Sequence, residues 1–228
     1  MFICPSFYEF RGIAERISLC LPQKQTFYLF ERILRAFHVI NFLYAPHTIH
    51  MSYITTYTGK HFDPVHPDMT QADIQDIAHA LSMICRGNGH VNTFFSVGQH
   101  CINAAREAAE RGYSRRVILA CLLHDAAESY MSDVPRPLKS SMTEYVRIEN
   151  RLLDLIYEKF LGSRLTAGEA NLVKQIDNDL LYYDLKELLN ECSEAAAPQL
   201  RISLNYEFVP FEQVEQAYLE FYYQYRGV

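Results

Sequence analysis

The sequence has no run of apolar residues approaching the roughly 18 needed for a helix to cross a bilayer, and no block of Lys or Arg. The first absence leaves no membrane-spanning helix to expect. The second, with a net charge of −6, argues against a surface for polymeric nucleic acid. It still leaves room for a small phosphate-bearing substrate in a local basic pocket. The six cysteines, at 4, 20, 85, 101, 121 and 192, show no CxxC spacing. That distribution fits a reducing cytoplasm better than secretion, with Cys101 and Cys121 as small core residues. There is no internal repeat and no low-complexity tract. What remains is an ordinary globular composition, 49% hydrophobic and 21% charged over 228 residues, enough for one large domain or one domain with an appendage.

Residues 1–50 differ from the rest, being rich in Phe, Leu and Ile with a single glycine, Gly12. Segments 13–20 and 27–45 have helical character, the second apolar on nearly all sides. Neither the basic start nor the small-residue cleavage site of a signal peptide is present. Composition shifts abruptly at Met51, so 51–228 is expected to be the domain. Residues 1–50 are then a peripheral or non-native extension, the rival reading being a membrane- or partner-binding helix at 27–45.

From residue 52 to 69 the Thr, Tyr, Gly and Pro content predicts extended structure, a short hairpin among the options. Asp73 caps a helix carrying Ile74, Ile77, Ala78, Leu81 and Ile84 at helical spacing, closed by Arg86-Gly87-Asn88-Gly89. Further helices are predicted over 96–111, 114–130 and 142–161. The last is stopped by Gly162, and an extended passage at Pro135 and Pro137 precedes it. A Thr166/Glu169 capping box opens another helix running to about Cys192. A short strand is expected at 200–204 and a tyrosine-rich helix at 210–225. Tyr218, Tyr222, Tyr223 and Tyr225 read as core or subunit interface, which is compatible with a homodimer. The fold class is all-α, a single compact helical bundle.

Chemistry concentrates between Val117 and Lys139, VILACLLHDAAESYMSDVPRPLK. Seven apolar or small residues run into His124-Asp125, and Glu128 follows one helical turn on. Burying an imidazole and a carboxylate there costs several kcal/mol unless they are paired or hold a metal. His100, after Val97 and beside Cys101, and Asp177, between Ile176 and Asn178 with Leu180 beyond, each border a buried helical face. Two imidazoles and two carboxylates make a mixed N/O set suited to a divalent ion. Taken singly, each has a blander explanation: a hydrogen-bonded core histidine, a solvated helix end, or an Asp177 paired with Lys174 or Lys186.

These residues carry a family resemblance. His100, His124-Asp125 and Asp177, in that order, resemble the HD superfamily of metal-dependent phosphohydrolases. CRGNGHVNTFFSVGQH resembles its Arg-bearing loop and first metal histidine. LLHDAAESYMSDVPRPLK resembles the HD helix of the bacterial 5′-deoxynucleotidase branch and its uncharacterised relatives. VKQIDNDLLYYD resembles the segment that closes the site, and YTGKHFDPVHPD the opening of those relatives. The likeness covers about residues 51–195. It implies an HD-domain bundle holding one divalent ion (Mn, Co, Fe, Ni or Mg) through His100, His124, Asp125 and Asp177. It further implies that Glu128 and Asp133 activate water and position substrate, that Arg86 contacts the phosphate, and that Arg136 lines the substrate pocket. The implied reaction is hydrolysis of a small phosphomonoester, a nucleoside or deoxynucleoside 5′-monophosphate being the expected substrate, in the cytoplasm.

Two positions depart from the pattern. Gly87 stands where the characterised deoxynucleotidases carry an aromatic that shapes the nucleoside pocket, and Ile176 stands where an alanine precedes the aspartate. His61, His66, His90 and Asn92 are further polar candidates near the mouth. Rival readings are a non-catalytic nucleotide sensor on the same fold and an HD-fold oxygenase with two irons. The oxygenase would need further ligands, for which His79 is the best on offer.

Overall fold

The computed structural model describes residues 52–191 and 193–227; the expectations for 1–50 lie outside them. Residues 51–228 form one compact unit. It is helix-dominated, with a single two-stranded sheet among the described residues. In order come β1 (Ile54–Thr55), β2 (His61–Phe62), α1 (Ile74–Met83), a short 3₁₀ turn (Arg86–Gly89), α2 (Val97–Glu110), α3 (Arg115–Leu123), α4 (Glu128–Met131), α5 (Arg136–Lys139), α6 (Thr143–Leu161), α7 (Ala167–Leu189) and α8 (Phe211–Tyr225).

The hairpin pairs Ile54 with Phe62 and Thr55 with His61, antiparallel. Asp73 caps α1 through its side chain, and Ile74, Ile77, Ala78 and Leu81 are buried. Ser96 and Gln99 form a reciprocal capping box at the start of α2, and Thr166 with Glu169 does the same for α7. Each device satisfies orphan N–H groups of the first turn.

The core is built around α3. Every residue from Val117 to Leu123 is buried, and the helix packs against α2, α6, α7 and α8. Tyr218 of α8, fully buried, donates its hydroxyl to the Leu122 carbonyl at 2.7 Å. Close approach of α1, α2 and α8 depends on Gly98. A Cβ there would meet Val214 Cγ1 at 3.1 Å and the Leu81 carbonyl oxygen at 3.2 Å.

Four local expectations are corrected. The helix expected over 114–130 is interrupted at 124–127, where Ala126 N–H bonds Leu123 O and Glu128 N–H bonds Asp125 O. These three-residue steps are tighter than the α-helical four. His124 and Ala127 keep helical dihedrals, so the α-helical bonding is interrupted without a breaker residue. The Pro135–Pro137 passage is extended only as far as Pro135, and Arg136–Lys139 is a turn of helix with proline in its first turn. Proline costs no hydrogen bond there, because the first helical N–H groups have no partner in any case. Helix α7 stops at Leu189, where Asn190 turns left-handed (φ 54°). Finally, 200–204 is not a strand. The N–H groups of Arg201 and Ile202 go to the buried Glu107 carboxylate at 2.9–3.1 Å, which takes both out of any ladder.

Candidate metal centre

Three segments bring the four expected ligands together: α2 contributes His100, the end of α3 contributes His124 and Asp125, and the middle of α7 contributes Asp177. Nitrogens of His100 and His124 and a carboxylate oxygen of Asp125 lie within 4.8 Å of one another. It is the one such group of three or more candidate ligands among the described residues. Asp177 Oδ1 completes the cluster, 3.4 Å from His100 Nε2 and 3.7 Å from His124 Nε2. The two imidazole centroids are 5.2 Å apart.

Both histidines are oriented through their far nitrogens. His124 Nδ1 bonds the Cys121 carbonyl at 2.7 Å, and His100 Nδ1 bonds Asp184 Oδ2 at 2.9 Å. A carbonyl and a carboxylate only accept, so Nδ1 carries the proton in each ring and Nε2 presents a lone pair when the ring is neutral. Both Nε2 atoms are buried and have no hydrogen-bond partner, which is costly unless something else satisfies them. Donor atoms sharing one ion at about 2.1 Å sit about 3 to 3.5 Å from one another. His124–Asp125 at 3.3 Å and Asp177 at 3.4 and 3.7 Å from the two imidazoles fall in or near that range, so the donor set fits a divalent cation.

The electrostatics agree with that fit. Burial alone acts to lower the His124 pKa and raise that of Asp177. The Asp125 charge instead lifts His124 well above its usual value, and the close approach of the His100 and His124 rings holds Asp177 well below the carboxylate range. The outer oxygen of Asp177 meets Lys174 at 2.7 Å and Arg136 at 3.4 Å. The bland pairing with Lys174 is therefore present, on the oxygen that faces away from the imidazoles.

Around the four ligands lie the other expected residues. Arg86 NH1 is 3.6 Å from Asp125 Oδ2. Glu128 is buried, with Oε2 unpartnered. Burial, then Asp125 and Asp133, push its pKa well above the usual carboxylate value, against Lys139 and Arg86. Asp133 follows Ser132, whose φ of 72° and ψ of 158° are a strained combination for a residue with a side chain. Tyr145 holds that turn by donating to the Ser132 carbonyl at 2.8 Å. Arg136 is more exposed than expected of a pocket wall, 58% at the side chain. A cleft of about 550 Å³ opens beside His124, Asp125, Glu128 and Asp177 and runs between α6 and α7 past Lys139, a size in the range of small-molecule sites.

The remaining candidates lie in other settings. His61 stacks on Tyr53 and His66 bonds Asp63. His90 is exposed. Asn92 ties the Arg86 loop to the end of α7 through the carbonyls of Leu188 and Glu187. His79 bonds Glu215 and stacks on Tyr57. Gly87 has φ of 60° and packs toward Val91 and Leu189, a backbone conformation that disfavours any side chain there. Asp184, the last residue of the VKQIDNDLLYYD segment and one with no expected role, is buried against His100, Arg86 and Tyr206. Its signal was available, since seven residues after Asp177 is two helical turns along one face.

The chain is similar to YfdR, an uncharacterised protein of Escherichia coli K12, at 38% identity over 112 residues, 48% of this chain and 59% of YfdR. It is also similar to an uncharacterised protein of Rhodobacter capsulatus, at 32% identity over 126 residues, 53% of this chain and 64% of that protein. The chain thus spans less than two thirds of the length of either relative. No family model matches it.

Proposed function

We propose that this chain is an HD-type metal-dependent phosphohydrolase that cleaves a small phosphomonoester, a nucleoside or deoxynucleoside 5′-monophosphate being the leading substrate class. The observation that carries this reading is the pair of buried imidazoles, each anchored at Nδ1 and unpartnered at Nε2, facing two carboxylates with Arg86 beside them. The ordered resemblance of His100, His124-Asp125 and Asp177 to the HD pattern supports it.

A divalent ion held by those four residues would supply a Lewis acid and make nearby water more acidic. The protein's own groups account for the rest. Arg86, held charged by burial-resisting contacts with Asp184 and Asp125, binds phosphoryl oxygens in a charge-assisted fork. Glu128, unpartnered at Oε2, takes the proton of the attacking water. Asp133, placed by the Ser132 turn, orients substrate on the same side. A new phosphorus–oxygen bond forms to water, the ester bond breaks, and the departing oxygen leaves as an alcohol with a proton. Lys139, 2.8 Å from Glu149 and 3.6 Å from Glu128, puts a cation on the wall of the cleft.

The test is a panel of phosphorylated metabolites with Mn, Co, Ni and Mg, scored by phosphate release. Release that requires the metal and falls with Glu128→Ala is expected. A metal-loaded protein that binds nucleotides without releasing phosphate would replace this reading with the sensor.

A further inference from the structure

Helix α7 carries two carboxylates on one face, Asp177 and Asp184. The His100 ring is strung between them: Nε2 is 3.4 Å from Asp177 and Nδ1 is 2.9 Å from Asp184. The same Asp184 oxygen that accepts from His100 also accepts from Arg86 NH2 at 3.2 Å. The second oxygen accepts from Tyr206 at 2.9 Å. Four segments therefore converge on one buried carboxylate: the 3₁₀ turn after α1, helix α2, helix α7, and the loop leading to α8. Arg86 in turn is strung between two acids, Asp184 at NH2 and Asp125 at NH1.

We infer that Asp184 is a positioning residue that couples the metal half of the site to its phosphate half, holding the His100 tautomer and one edge of the Arg86 fork with a single oxygen. The inference rests on the phosphohydrolase reading above. Any buried carboxylate needs partners for its two oxygens, so their identity and not their number is informative. This one has three, two of them residues with assigned and different tasks. Any change that moves Asp184 moves the nitrogen offered to a cation and the guanidinium offered to a phosphate together. Binding at the two halves is then linked, and the linkage is reciprocal. An amide at 184 keeps the shape but loses the charge. Its N–H₂ must face either Tyr206, whose hydroxyl then has to accept, or the His100 and Arg86 N–H groups, which cannot.

The experiment measures Co²⁺ affinity of the full chain, and inorganic phosphate affinity of the Co²⁺-loaded chain, in wild type, Asp184→Asn, Arg86→Ala and the double variant. Asp184→Asn is expected to weaken Co²⁺ binding by roughly 10- to 100-fold, the usual cost of losing a residue that orients a metal ligand. The phosphate effects of the two substitutions should be non-additive. Unchanged Co²⁺ affinity, or additive phosphate effects, overturns the inference while leaving the phosphohydrolase reading intact. A wild-type chain that takes up no Co²⁺ overturns that reading, and the inference with it. Where Asp184→Asn does not fold, nitrogen-15 NMR of the unmodified metal-free chain decides. A proton on His100 Nδ1, in its bond to Asp184, is expected, and an Nδ1 without a proton overturns the proposal.

Discussion

His124 Nε2 and Asp125 Oδ2 belong to adjacent residues and lie 3.3 Å apart. Neighbours on a regular helix point about 100° away from each other. Here the backbone tightens into three-residue steps directly after α3, and both side chains face the space shared with His100 and Asp177.

That shared space defines the first prediction. Protein purified without chelators should contain close to one equivalent of transition metal by elemental analysis. His124→Ala and Asp125→Ala should each lose it. Full metal content in Asp125→Ala would remove that residue from the ligand set.

Glu128 and Asp133 should separate holding the ion from using it. Glu128→Ala and Asp133→Ala are expected to keep the metal and lose turnover by roughly a hundredfold or more, the scale of general acid–base groups. Near-full turnover by metal-loaded Glu128→Ala would rule out its role as the base.

Arg86→Ala should act on phosphate binding. With the metal retained, KM should rise, kcat should fall, or both, according to when the contact is strongest. The readout is steady-state kinetics on the best substrate of the panel, beside metal content. Unaltered kinetics would place the phosphate elsewhere.

Metal retention should depend on pH with a definite sign. His124 must be neutral to donate Nε2, and in the ion-free chain the Asp125 charge, working against burial, favours its protonated form. Uptake of an ion then expels a proton, so affinity should rise with pH by on the order of tenfold per unit for each proton displaced. Once His124 is neutral without the ion, the rise should level off. Calorimetry in two buffers of different ionisation enthalpy counts the protons. None released would refute the assigned state of His124.

Residues 51–228 form one compact unit, so a chain starting at Met51 should fold and bind metal like the full chain. Thermal unfolding and elemental analysis of the two would show it, and aggregation or metal loss in the shorter chain would contradict it.

How much of this was legible in sequence varied with the physics involved. Asp73, Ser96, Thr166 and Gly162 mark helix ends by local chemistry, and those boundaries fall where expected to within a residue or two. The inward face of α1 followed from apolar spacing, and the burial of α3 from its unbroken apolar run. The break at His124–Ala127 left no mark, because none of its residues is a breaker and both its ends keep helical dihedrals. Residues 200–204 looked like a strand because local pattern cannot reveal that Glu107, far away in the chain, takes their N–H groups. Asp184 was passed over for the opposite reason. The helical phase placed it beside Asp177, but an acid near a helix end reads as solvated until Arg86 and Tyr206 are seen closing over it.

Gly98 has a genetic consequence. It lies two residues before His100, on the side of α2 facing away from the ion ligands, and it sets how near α1 and α8 stand to that helix. A methyl group there cannot displace the Leu81 backbone, so the strain falls on Val214 or on the register of α2 itself. An alanine allele should therefore behave as a loss of the site without touching any ligand. Its revertants should collect at Val214, where a smaller side chain restores the room.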